Sequence, residues 1–103
     1  MSVLMEFAMF PTDKGSSVSS EVSKIIEMIR NSGHSYKLGA MGTTIETETL
    51  SEALEVLNKS YIILEPHSDR VYCSVKFDIR AGKMGRIQKK LSSIEEKIGK
   101  VEK

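Results

Sequence analysis

Glu6 stands in the middle of "SVLMEFAMF", a run otherwise apolar enough to be a core strand, and a second strand-like run, "RVYCSVKFDIR", carries Lys76 and Asp78. A carboxylate in an apolar setting needs a partner, because an unpaired buried charge loses several kcal/mol of hydration. Lys76, Lys37 or Arg80 could satisfy Glu6 and Asp78 as structural ion pairs, and a small cationic or amide-bearing ligand could do so instead. Phe10 and Tyr72 would add stacking surface for a planar ring, and Met41 an adaptable thioether filler. The chemistry these types suggest together is capture of a heteroaromatic ligand, with the carboxylate offsetting positive charge.

The other reactive side chains point to ordinary roles. "DKGSSVSS" places serines and a glycine before a helix, where free N–H groups attract anions, but it lacks the G-x-x-x-x-G-K-[ST] spacing of a P-loop, and capping is the commoner use. His34 and His67 adjoin Gly33 and Pro66 in expected loops with no second ligand at metal spacing, so no metal is assigned. Cys73 falls on the core-facing register of its strand and reads as a small buried hydrophobe. No Ser/His/Asp or Cys/His constellation can be assembled, and an enzyme is not expected.

These residues must be positioned by regular elements. Residues 2–10 read as a strand stopped by Pro11, which cannot donate to a sheet ladder. Val18, Val22, Ile25, Ile26 and Ile29 recur on one helical face, with Ser16 or Ser17 to cap it and Gly33 to end it. "YKLGAM" and "TTIETET" alternate as two short strands about Gly42. Thr49 and Glu52 form a capping box that opens a helix along Leu50, Ala53, Leu54, Leu57 and Tyr61. Val71, Cys73, Val75, Phe77 and Ile79 alternate strictly, so one face of that strand is expected in the core. Ile87, Leu91, Ile94, Ile98 and Val101 then mark a narrow stripe on a last, charged helix that covers the core or a neighbouring subunit.

With right-handed crossovers, the order βαββαβα gives a ferredoxin-like α+β sandwich: a four-stranded antiparallel sheet, two helices on one face, an additional C-terminal helix, and an open second face. The 103 residues are one domain, 1–103. Val3, Met5, Phe7 and Met9 are expected to face the helices, and Leu4, Glu6, Ala8 and Phe10 the open side beside Met41, Thr44, Glu46, Tyr72, Lys76 and Asp78. Leu4, Phe10, Met41 and Tyr72 would leave an apolar patch bare on a monomer, so a homodimer or homotetramer joined through sheet faces is expected.

Composition narrows the function classes. A net charge of +1 gives no bulk attraction to nucleic acid or acidic membranes. Apolar runs fall short of the ~20 residues that span a bilayer. One cysteine cannot form an internal disulfide, and Glu6 interrupts the opening apolar run, so a cytoplasmic location is expected. An RNA-binding module shares the βαββαβ order, yet "RVYCSVKF" lacks the glycine–aromatic pattern of RNP1. An acylphosphatase-type enzyme would need an arginine in its anion loop, and "PTDKGSS" has none.

The blocks "VLMEFAMFPTDKGSSVSSEV", "GHSYKLGAMGTTIE" and "RVYCSVKFDIRAGKMGRI" resemble the small thiamine-binding protein family (YkoF-like), over nearly the whole chain. The resemblance implies a non-enzymatic protein that binds thiamine (vitamin B1) or its hydroxymethylpyrimidine part, assembles through its sheets, and uses no metal or organic cofactor. Carried over position by position, it implies Glu6, Met9 and Phe10 near the ligand from the first block, Met41, Gly42, Thr43 and Thr44 from the second, and Lys76 and Asp78 from the third. A purely structural assembly protein, or an RNA-binding module, is the alternative.

Overall fold

A computed structural model of the chain describes residues 1–13 and 19–102, so the anion-loop and capping expectations at "KGSSV" lie outside the described residues. The elements are β1 (Ser2–Pro11), α1 (Ser19–Ser32), β2 (Ser35–Leu38), β3 (Thr43–Thr47), α2 (Leu50–Leu64), a single 3-10 turn (Glu65–His67), β4 (Val71–Arg80) and α3 (Arg86–Ile98). The strands form one antiparallel sheet in the order β2-β3-β1-β4. This is the α+β architecture expected from the alternation of short apolar strands with amphipathic helices.

Local chemistry sets the boundaries. Gly33 takes φ +84°, a left-handed conformation costly for residues with a Cβ, and ends α1. Thr49 Oγ1 accepts from the Glu52 backbone N–H while the Glu52 carboxylate accepts from the Thr49 N–H, so the expected capping box opens α2. Val3, Met5 and Phe7 of β1 and Ile45 of β3 meet Ile25, Ile29, Ala53, Val56 and Leu64 in the core, with Met9 packed at its margin.

The helical face of α2 is rotated from the one its apolar residues suggested. Ala53, Val56, Ser60 and Leu64 are buried, while Leu50, Leu54 and Tyr61 are exposed. Ser60 completes the seam because its hydroxyl donates to the Val56 carbonyl and is satisfied within the helix, 2.8 Å away. β4 also departs from expectation. Its helix-side residues Val75, Phe77 and Ile79 are 37%, 38% and 47% exposed, and Cys73 is exposed rather than buried. The alternation is correct, but the core packs α1 and α2 on β1 and β3, leaving β4 at the margin.

The second face of the sheet is not wholly open. Glu46, directly opposite Leu4 and facing away from α1 and α2, is fully buried because the N-terminus of α3 sits over it. From there α3 runs towards β2. Leu4 is half-buried, not bare.

Candidate functional site: a cleft at the end of β1

The functional geometry follows from a mismatch of strand lengths. β3 begins at Thr43, opposite Phe7, so among the described residues β1 continues past it through Ala8–Pro11 with β4 as its one partner strand. The turn joining β2 to β3 folds against this overhang and leaves a cleft of about 390 Å³. Met9, Phe10, Met41, Gly42 and Thr43 line it, with Ile26 of α1 as its apolar wall. A strand edge without a neighbour offers backbone donors and acceptors, and here they border an apolar recess, the usual composition of a site for a small planar molecule.

The turn fits tightly. The Gly39 N–H donates to the Gly42 carbonyl at 2.9 Å. A Cβ on Gly39 would lie 3.0 Å from that carbonyl oxygen, and a Cβ on Gly42 would lie 3.1 Å from the Phe7 carbonyl oxygen and 3.6 Å from the Glu6 Cγ. Glycine at both positions lets the rim close, and Gly42 sets the rim against the Glu6 Cγ.

On the open face, register places Lys37, Thr44, Glu6 and Lys76 in one row across the four strands. Lys76 Nζ stands 3.2 Å from Glu6 Oε1, with both side chains at least half exposed, so this pair stabilises little and stays available to an incoming charge. Further along the same face, Phe10 and Tyr72 face each other with ring centroids 5.6 Å apart, and both are substantially exposed. Met41 is 91% exposed at the rim.

Of the residues singled out from the sequence, Met9, Phe10, Met41, Gly42 and Thr43 gather at the cleft, and Glu6, Thr44 and Lys76 form the adjoining row. Asp78 stands apart from them: its carboxylate pairs with Arg86 Nη1 at 3.0 Å. Arg86 also donates from Nε to Ser2 Oγ (2.9 Å) and from Nη2 to the Ser2 and Asp78 carbonyls (2.8 and 2.7 Å). Glu46 accepts from the Ser2 hydroxyl and from the backbone N–H groups of Gly85 and Arg86, at 3.0 to 3.2 Å for the latter two. Burial alone would raise the Glu46 pKa, but the bonds from Ser2, Arg86 and Gly85 and the Arg86 charge outweigh it and hold the carboxyl below the usual range. Sequence reasoning placed Glu46 on this face and gave it no partner. Its partners lie some 40 residues away in the chain, and the only local signal was an acid in an otherwise threonine-rich strand.

Among the described residues no three His, Cys, Asp or Glu side chains gather as a metal site. No described helix is long and apolar enough to cross a membrane.

A family model described as "Thiamine-binding protein" matches residues 5–95. The chain belongs to the thiamine-binding protein family. It is 35% identical to the UPF0045 protein MJ1052 of Methanocaldococcus jannaschii over 91% of this chain and 93% of that one. A UPF0045 protein of Methanothermobacter thermautotrophicus is 34% identical over 80% of this chain and 84% of its own length. The crystal structure of MJ1052 superposes with a TM-score of 0.78, covering 92% of this chain and 97% of that one. A candidate thiamine biosynthesis/salvage protein of Thermotoga maritima shares the fold, with a TM-score of 0.77 at 23% identity over 91% of this chain and 99% of that one. The family assignment thus spans the cleft, the open-face row and most of α3.

Proposed function

We propose that this protein binds thiamine or its hydroxymethylpyrimidine moiety, without catalysis, in the cleft at the end of β1. The observation that carries the reading is an apolar recess of about 390 Å³ lined by Met9, Phe10, Met41, Gly42 and Thr43, whose rim residue Gly42 packs against the stem of Glu6. An aminopyrimidine would stack against Phe10 and Met41 and meet the uncapped edge of β1, with the Thr43 and Thr44 hydroxyls as further partners. The thiazolium of thiamine would lie towards Glu6, where it competes with Lys76 for the carboxylate. Membership in the thiamine-binding protein family supports the ligand class. Asp78, engaged by Arg86, takes a supporting place beside Lys76.

The exposed Phe10, Tyr72 and Met41 support assembly into a homodimer or homotetramer through sheet faces, over the half of the open face that α3 leaves bare. A cytoplasmic small-molecule carrier or sensor suits this reading. Calorimetric titration with hydroxymethylpyrimidine and with thiamine tests it: saturable binding of both, lost on filling the cleft with Gly42→Leu, is the expected result. Absence of heat with either ligand removes the proposal.

A further inference from the structure

The four-strand row on the open face carries more charge than thiamine alone can use. Across β2, β3, β1 and β4 it reads Lys37, Thr44, Glu6 and Lys76. Glu6 is occupied by Lys76 at 3.2 Å, whereas among the described residues Lys37 has no acidic partner and the Thr44 hydroxyl no hydrogen-bond partner. Lys37 is exposed and Thr44 half-buried, so both can meet an incoming group. The neighbouring rows add no competing charge: on one side Ala8 and Ser74 are neutral, and on the other Arg86 engages both Glu46 and Asp78.

We propose that the site takes a zwitterion, a ring cation carrying a phosphate monoester one strand away, and that Lys37 selects it; this rests on the reading of the cleft as a thiamine site. In the thiamine class that ligand is thiamine monophosphate. The row holds two lysines and one carboxylate. A thiazolium that takes Glu6 releases the Lys76 ammonium and raises the excess positive charge to two. A phosphate monoester, about −2 at pH 7, cancels it. Spacing sets its place: neighbouring strands lie ~4.8 Å apart, so a ring above Glu6 with a short ester arm puts the phosphate above Thr44. There the Thr44 hydroxyl can donate and Lys37 flanks the anion directly. The Lys76 ammonium, which already reaches across to Glu6, closes the charge from the other side. Lysine suits this task because a flexible ammonium meets phosphate as a compact point charge.

Parallel calorimetric titrations of the full chain with thiamine, its monophosphate, its diphosphate and inorganic phosphate are the test. At low salt the monophosphate should bind about 10-fold tighter than thiamine, the gain from two partly exposed charge contacts. The diphosphate overshoots the charge balance and should bind no tighter than the monophosphate. Inorganic phosphate should not saturate at the same concentrations, because it lacks the ring cation that opens the Glu6–Lys76 pair. Lys37→Gln should cut the preference for monophosphate over thiamine to about 3-fold or less, and Lys37→Arg should restore most of it. Circular dichroism should show both variants folded, since Lys37 is exposed on the four-residue edge strand β2. Thiamine bound as tightly as its monophosphate, or a preference that K37Q leaves in place, overturns the proposal and leaves the thiamine reading standing. So does saturation by inorganic phosphate alongside the monophosphate, which would make the lysines an anion site of their own. No binding of thiamine or of either ester overturns both.

Discussion

In the proposed function Glu6 and Gly42 carry most of the weight at the residue scale. If Glu6 offsets the thiazolium, Glu6→Gln should weaken thiamine binding about 3- to 10-fold, the range for a partly exposed charge interaction of roughly 1 kcal/mol. The uncharged hydroxymethylpyrimidine should bind the variant almost as it binds the wild type. Parallel titrations check this, and an equal loss for both ligands would take Glu6 away from the cationic end. Gly42→Ala pushes a methyl to 3.1 Å from the Phe7 carbonyl oxygen, a backbone atom that cannot swing aside. It should cost about 1–2 kcal/mol of stability. A lowered urea midpoint at unchanged slope would register that cost. The glycine was legible in the sequence as a turn residue. Its closeness to Glu6 was not, because that depends on where β3 starts against β1.

At the scale of elements, the seat of α3 decides how much of the sheet stays open. No residue of α3 is fully buried, and Ile94 and Ile98 are 49% and 73% exposed, so the helix depends on its N-terminal anchorage. Glu46→Gln keeps the shape but removes the charge that faces Arg86 and the helix N–H groups. It should cost about 1–3 kcal/mol, the range for disturbing a buried charged hydrogen-bond set. Amide exchange at residues 86–98 should quicken first in this variant, and uniform exchange across the chain would contradict a local anchor. The Glu46 carboxyl is held below its unfolded value of 4.5, so its stabilisation is fully present above that value and is lost as pH falls through the lower folded one. Acid should therefore loosen α3 below about pH 4.5 in the wild type, and E46Q should lack that step. Periodicity showed which residues of each element share a face. It could not show what covers that face: Val75, Phe77 and Ile79 alternate as core residues do, yet lie beyond the reach of α1 and α2, and α2 turned so that Ser60 entered the seam in place of Tyr61.

The whole molecule is elongated, 45 × 29 × 22 Å, with a radius of gyration of 14.9 Å. A compact domain of this length has a radius near 13 Å. The α+β topology and the family followed from strand alternation, the capping box and three sequence blocks, because those signals are local. The Glu46–Arg86 cluster was not legible, and the cleft's residues were legible through the resemblance but not its shape, because each joins residues far apart in sequence through a register that only the folded sheet defines. The central proposal is that the cleft at the end of β1, with Glu6 near its rim, takes a thiamine-class ligand. Its most direct measurement is calorimetric titration of the wild-type chain with hydroxymethylpyrimidine and thiamine under one buffer. Saturable binding of both, on the order of −8 kcal/mol for a micromolar site, with thiamine alone sensitive to Glu6→Gln, is the expected result. No binding of either, or binding untouched by both Glu6→Gln and a filled cleft, would contradict it.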